Sequence, residues 1–107
     1  MATVIWTDKA KKVRRRLYIE GVINFGIYTA LKVVNKIESI TDKLESFPKM
    51  GHKEQLLEKR TLIYRACHIN KRFKIIYWYD DIKDMVVIED IWDTHRAPKN
   101  LIKRIIE

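Results

Sequence analysis

Residues 64–92 read YRACHINKRFKIIYWYDDIKDMVVIEDIW and contain three short apolar runs. Two polar breaks separate the runs, NKR at residues 70–72 and DD at residues 80–81. β-Branched and aromatic side chains dominate the second and third runs, and such side chains suit the half-buried surface of a sheet. The pattern predicts an antiparallel meander with its strands at residues 61–69, 73–79 and 85–92.

The segment before the meander begins with a β-prone run at residues 2–6. Thr7 or Asp8 suits the N-cap of a helix, because its side-chain oxygen can accept a hydrogen bond from a free amide of the first turn. Apolar residues then recur every three to four residues, which is the helical period. Gly26 suits a tight connection at the end of this pattern. We therefore expect a first strand followed by a helix that ends near Gly26.

A second apolar stripe of helical period runs from Ile27 to Phe47. Pro48 ends it, because proline lacks an amide hydrogen and disfavours helical geometry in the preceding residue. A polar loop is expected over residues 50–60. The two helices therefore form an antiparallel hairpin that covers one face of the meander.

Side chains alternate between the two faces of a strand, and both faces of the predicted sheet are largely apolar. The face away from the hairpin therefore needs a cover, and we expect part of it to be open for a partner. Pro98 suits the first turn of a short closing helix, which either folds back over the sheet or docks on a partner. Arg65 and Lys74 fall in the same alternation class, so neighbouring strands could bring both onto one face.

Length and composition indicate one globular domain over residues 1–107, with 47% apolar and 34% charged residues. No apolar stretch approaches the ~20 residues of a membrane span, and the N-terminus lacks the basic-then-apolar layout of a signal peptide. A lone cysteine, Cys67, excludes an internal disulfide. We expect a cytoplasmic protein without a membrane partner.

The net charge of +8 is large for 107 residues and favours polyanionic partners. Nucleic acid, a nucleic-acid-bearing machine and an acidic protein chain all fit, and so does a basic but merely solvated surface. Six cations are concentrated near the N-terminus, and three of them fall off the apolar stripe, as is typical of a solvated helix face. The six are Lys9, Lys11, Lys12, Arg14, Arg15 and Arg16.

Three motifs in a particular order resemble the ParE/RelE family, the toxins of bacterial type II toxin–antitoxin modules. They are FPKMG at residues 47–51, FKIIY at residues 73–77 and IWDTHRAP at residues 91–98. The resemblance covers nearly the whole chain and implies an α+β fold. In that fold an N-terminal strand and a helical hairpin pack on a small antiparallel sheet, with a short C-terminal helix.

The resemblance also implies function. Toxins of this kind inhibit growth, can stabilise plasmids, and form a hetero-oligomer with a cognate antitoxin whose acidic chain suits a basic toxin. RelE-like members are metal-independent, ribosome-dependent endoribonucleases that cut mRNA, whereas ParE-like members inhibit DNA gyrase by binding it. A third possibility is an inactive module that acts only with its antitoxin.

Cleavage of RNA without a metal ion needs a base, an acid and cations that stabilise the charge on phosphorus. The matching positions are Arg65, Lys74, His95 and Arg96, which would be target-binding residues in a gyrase inhibitor. The chain lacks the tyrosine that some RelE-like nucleases carry shortly after the arginine matching Arg96, and Cys67 replaces one of two strand lysines. These departures favour the ParE-like activity.

The other chemistry-bearing residues have ordinary structural interpretations. His95 also fits a surface turn, while His52 and His68 are interpreted as loop and strand residues. Cys67 is interpreted as a buried thiol, because no cysteine or histidine lies at metal-ligand spacing from it. The three tryptophans are interpreted as core residues rather than platforms for bases. No phosphate-binding loop or nucleophile elbow is present, so no cofactor or metal is expected.

Overall fold

The chain folds into a five-stranded sheet with helices on both faces. Its computed structural model describes residues 1–106. The elements in chain order are β1 Thr3–Trp6, α1 Asp8–Phe25, α2 Ile27–Ser46, β2 His52–Lys53, a 3₁₀ helix Gln55–Leu57, β3 Tyr64–His68, β4 Phe73–Asp80, β5 Met85–Asp93 and α3 Pro98–Arg104. This is the expected α+β fold.

The strand order in the sheet is β1-β5-β4-β3-β2. The pairs β2–β3, β3–β4 and β4–β5 are antiparallel, and the last two pairs form the predicted meander. β1 lies parallel to β5, so the sheet is mixed. β2 and the 3₁₀ helix lie within the predicted loop and are too short to produce a periodic pattern in the sequence.

The helical hairpin follows from local signals in the sequence. The Thr7 hydroxyl accepts a hydrogen bond from the Ala10 amide at 3.1 Å and caps α1. Gly26 joins the helices with φ of 89°, a left-handed conformation that glycine adopts without strain. The hairpin buries Ile37, Leu44 and their neighbours against one face of the sheet. We call this the hairpin face.

The second face of the sheet is covered by the same chain. Leu57 of the 3₁₀ helix and Leu101 and Ile105 at the C-terminal end pack against it. Ile76 and Trp92 lie beneath them and are buried, as expected for a core tryptophan. The expectation of an open sheet face is therefore wrong, because the closing helix folds back. We call this the α3 face.

Within residues 1–106, the helices lack the combination of length and hydropathy needed to cross a membrane.

Candidate functional site

Arg65 lies on β3 and fixes the loop that follows α2. Its Nη1 atom donates to the carbonyl oxygens of Lys49 at 3.3 Å and Gly51 at 2.9 Å. The Gly51 amide in turn donates to the Tyr77 hydroxyl at 2.9 Å. Arg65 thus has a structural role that connects the FPKMG motif to the sheet.

Tyr77 is fully buried on the hairpin face, between Gly51 and Cys67. Burial is the main cause that raises the pKa of Tyr77 to about 12. Burial also raises the pKa of the Cys67 thiol, while a hydrogen bond with Tyr77 lowers it in part. Cys67 is therefore an inert, half-buried thiol, in agreement with its interpretation from sequence.

This network makes stability depend on pH in the alkaline range. Since the pKa of Tyr77 is higher in the folded chain than the ordinary value of 10, its contribution is complete below pH 10 and is lost as pH rises towards 12. We expect the free energy of unfolding to fall by up to about 2 kcal/mol over that interval. The Tyr77→Phe variant should lose much of this dependence in chemical denaturation at several pH values.

Tyr79→Phe is the matched control, because the pKa of Tyr79 is also raised to about 12, but by a hydrogen bond to the Asp84 carboxylate at the surface, where solvent screening weakens its contribution to stability. An equal loss of pH dependence in both variants would contradict a particular role for the buried hydroxyl.

Lys74 lies on the α3 face and is only 9% exposed. Its Nζ atom is 2.5 Å from Oε2 of the buried Glu54. Within residues 1–106, Oε2 has no other polar partner. The other carboxylate oxygen accepts from the Leu56 amide at 3.3 Å. Lys74 is therefore committed to an ion pair that connects β4 with the 3₁₀ helix.

The prediction that Arg65 and Lys74 share a face is wrong. The register places Arg65 opposite Tyr77, and His68 opposite Lys74. Residues at facing positions share a face, and Tyr77 is three residues from Lys74, an odd number. Alternation within each strand is visible in sequence, but the register between strands is not.

His95 and Arg96 lie in the turn after β5, and both are exposed. The His95 amide donates to Asp93 Oδ1 at 3.0 Å. Thr94 fixes the turn, since its amide and its hydroxyl both donate to the Arg72 carbonyl at 2.7 Å. The Arg96 guanidinium lies 5.4 Å from the centroid of the Trp92 ring, which orients its charge.

A concavity of about 120 Å³ between α1 and the end of β5 brings together four arginines. They are Arg16, Arg72, Arg96 and Arg104, lying beside Glu20 and Asp93. Of these, only Arg96 was predicted from sequence as a site residue, and Arg16 was predicted only as part of a basic segment. The helical spacing of the cations in α1 was the one feature of the sequence that could have indicated this cluster.

Two of these arginines are held by carboxylates. Arg72 donates to both oxygens of Asp93, at 3.1 and 2.9 Å, and this pair lowers the pKa of Asp93. Arg104 donates to both oxygens of Asp90, each at 2.8 Å. Bidentate pairs of this kind are among the stronger hydrogen bonds in proteins.

The remaining histidines, His52 and His68, lie near the edge of the sheet opposite β1. His68 is in β3 as expected, whereas His52, expected in a loop, is in β2. Their rings stack at 5.5 Å. Among residues 1–106 no group of three or more histidine, cysteine or acidic side chains is placed to hold a metal ion. The arginine-lined concavity is suited instead to binding an anion.

Comparison with known proteins identifies the family. Residues 4–98 match the model for the ParE toxin of the type II toxin-antitoxin system, parDE. No curated protein sequence matches the chain.

Several solved structures share the fold. A chain of the chromosomal ParDE TA system from P. aeruginosa superposes with a TM-score of 0.68 at 20% identity, covering 87% of this chain and 96% of its own. A metal-bound toxin from Helicobacter pylori gives 0.67 at 14% identity, covering 89% and 97%. The YoeB dimer from Staphylococcus aureus gives 0.55 at 19% identity, covering 83% and 92%. Because the family match spans most of its length, the chain belongs to the ParE toxin family of type II toxin–antitoxin systems.

Proposed function

We propose that this toxin arrests growth in the cytoplasm by inhibiting DNA gyrase, without cleaving mRNA, and that a cognate antitoxin neutralises it. The observation that supports this most directly is the separation of the four candidate nuclease residues. Arg65 and Lys74 lie on opposite faces of the sheet, and Lys74 is buried in an ion pair with Glu54.

The distance along the sheet adds to this separation. Asp93, just before the turn that carries His95 and Arg96, pairs with Phe73, whereas Arg65 pairs with Tyr77. Four residues of an antiparallel strand span roughly 13 Å. An endoribonuclease needs its base, its acid and its cations around a single phosphate. The four side chains do not meet that requirement, so a binding activity is favoured.

An apolar surface at the tip of the helical hairpin supports contact with a protein. Ile23 and Tyr28 are 76% and 83% exposed. Four further large apolar side chains on the hairpin are also exposed, namely Ile19, Phe25, Ile27 and Leu31. Contiguous exposed apolar side chains commonly mark protein–protein contacts. We propose that this tip contributes to contact with gyrase or with the antitoxin.

The two activities separate in a paired assay of the purified chain. We expect inhibition of DNA supercoiling by purified gyrase, together with intact mRNA on translating ribosomes. The toxin already bound to its antitoxin is the control and should leave gyrase active. Cuts in ribosome-bound mRNA that disappear in Arg96→Ala would contradict the proposal and favour the nuclease. The absence of both activities, with no growth arrest, would favour the inactive binding module.

A further inference from the structure

One side of α1 and the turn after β5 form a continuous basic surface. Lys9, Lys12 and Arg16 are three and four residues apart, so they lie on one side of the helix. The Lys9 Nζ atom donates to the Arg104 carbonyl at 2.7 Å, and Arg16 lines the same concavity as Arg96. We call this the α1–β5 basic surface, comprising Lys9, Lys12, Arg16, Arg72, Arg96 and Arg104.

Part of its charge is not neutralised within the chain. Arg72 and Arg104 have carboxylate partners, but in residues 1–106 no carboxylate forms an ion pair with Lys12, Arg16 or Arg96. Uncompensated like charges held close together repel one another, and they raise the local concentration of a polyanion. Arg96 is further oriented by the Trp92 ring. Glu20 also lines the concavity and offsets part of this charge, but the six cations outnumber Glu20, Asp90 and Asp93, so the surface keeps a net positive charge.

The neighbouring side chains indicate which class of polyanion fits. A protein partner would need apolar or aromatic anchors at the centre of the contact, yet the apolar residues that line the concavity are not among the largely exposed ones. Single-stranded nucleic acid would need a free aromatic ring on which bases stack. Trp92 is 2% exposed, and the Arg72 guanidinium lies 5.1 Å from the Phe73 ring.

A polar surface with guanidinium groups and without stacking platforms matches the phosphates of a double helix. We propose that the α1–β5 basic surface binds the phosphate backbone of double-stranded DNA without reading its sequence. This inference rests on the proposed function, because the bound DNA would be the segment that gyrase holds. It makes the toxin a ligand of both the enzyme and its DNA.

The test is binding of the purified chain to a fluorescent DNA duplex in the absence of gyrase, measured by anisotropy at several salt concentrations. We expect binding that is independent of sequence. The logarithm of the binding constant should fall linearly with the logarithm of the salt concentration. The double variant Arg16→Gln/Arg96→Gln should reduce that salt slope by about two. Lys32→Gln/Lys36→Gln is the matched control and should leave the slope unchanged, because it removes two exposed cations of α2 that lie outside the α1–β5 basic surface.

Thermal unfolding by circular dichroism confirms that the variants fold. No binding at low salt, or an unchanged slope in the double variant, would overturn the inference while leaving gyrase inhibition testable by supercoiling alone. Tighter binding to an RNA duplex of the same length would overturn the assignment to DNA. Displacement by polyglutamate as effective as displacement by unlabelled DNA, at equal charge concentration, would overturn it in favour of an acidic protein partner.

Discussion

The Asp90→Ala variant is expected to lose about 3–5 kcal/mol of its free energy of unfolding, because it leaves the Arg104 guanidinium without a partner. Asp90 is completely buried on the α3 face. Its two oxygens accept from Arg104 at 2.8 Å each, and one also accepts from the Ile91 amide at 2.9 Å. The Arg104 side chain keeps 22% of its exposure, so partial hydration places the expected loss near the lower end.

Asp90→Ala should also loosen α3 from the sheet, since Arg104 is the last residue of that helix. Trp92 lies beneath α3, and its exposure would shift tryptophan emission to the red before global unfolding. Chemical denaturation followed by circular dichroism gives the free energy, and emission gives the local change.

Asp81→Ala is the control for this variant. Asp81 pairs with Lys49 at 3.4 Å, with side chains 70% and 62% exposed, and such surface pairs contribute about 0–1 kcal/mol. A loss below about 1 kcal/mol in Asp90→Ala, within that surface-pair range, would contradict the anchoring role of the buried pair.

Asp90 also shows where prediction from sequence fails. A break in the pairing register between Ile76 and Tyr77 leaves Glu89 without a partner in β4, because Ile76 pairs with Asp90 and Tyr77 with Ile88. This β-bulge shifts the alternation by one residue. Asp90 therefore lies on the α3 face with Trp92, whereas Ile88, two residues before it, lies on the hairpin face.

The helical hairpin, by contrast, was predictable, because its signals are local. Thr7, Gly26 and Pro48 mark the ends of helices through backbone chemistry that any chain would obey. The three main strands were predictable from their side chains. The candidate site was not, because its geometry depends on strand register and on the bulge, and these are settled by packing between distant segments.

The Gly51→Ala variant is expected to lose about 2–4 kcal/mol, combining the cost of overpacking with that of a lost hydrogen bond. A Cβ atom at Gly51 would lie 2.8 Å from the Ala66 carbonyl oxygen and 2.8 Å from both Cε1 and the hydroxyl of Tyr77. Neither neighbour can move freely, since Ala66 is held in β3 and Tyr77 is fully buried. The added methyl group would push the FPKMG loop away from Tyr77 and from the Arg65 guanidinium.

Gly21→Ala provides the matched control for Gly51→Ala, and we expect the opposite sign. A Cβ atom at Gly21 would meet the Ala30 Cβ at 3.4 Å, an ordinary contact between the two helices. Alanine within a helix is favoured over glycine by about 0.5–1 kcal/mol. Denaturation midpoints should therefore move down for Gly51→Ala and up for Gly21→Ala. A neutral Gly51→Ala would mean that the loop tolerates displacement, and the glycine of the FPKMG motif would then need a reason other than close packing against Tyr77.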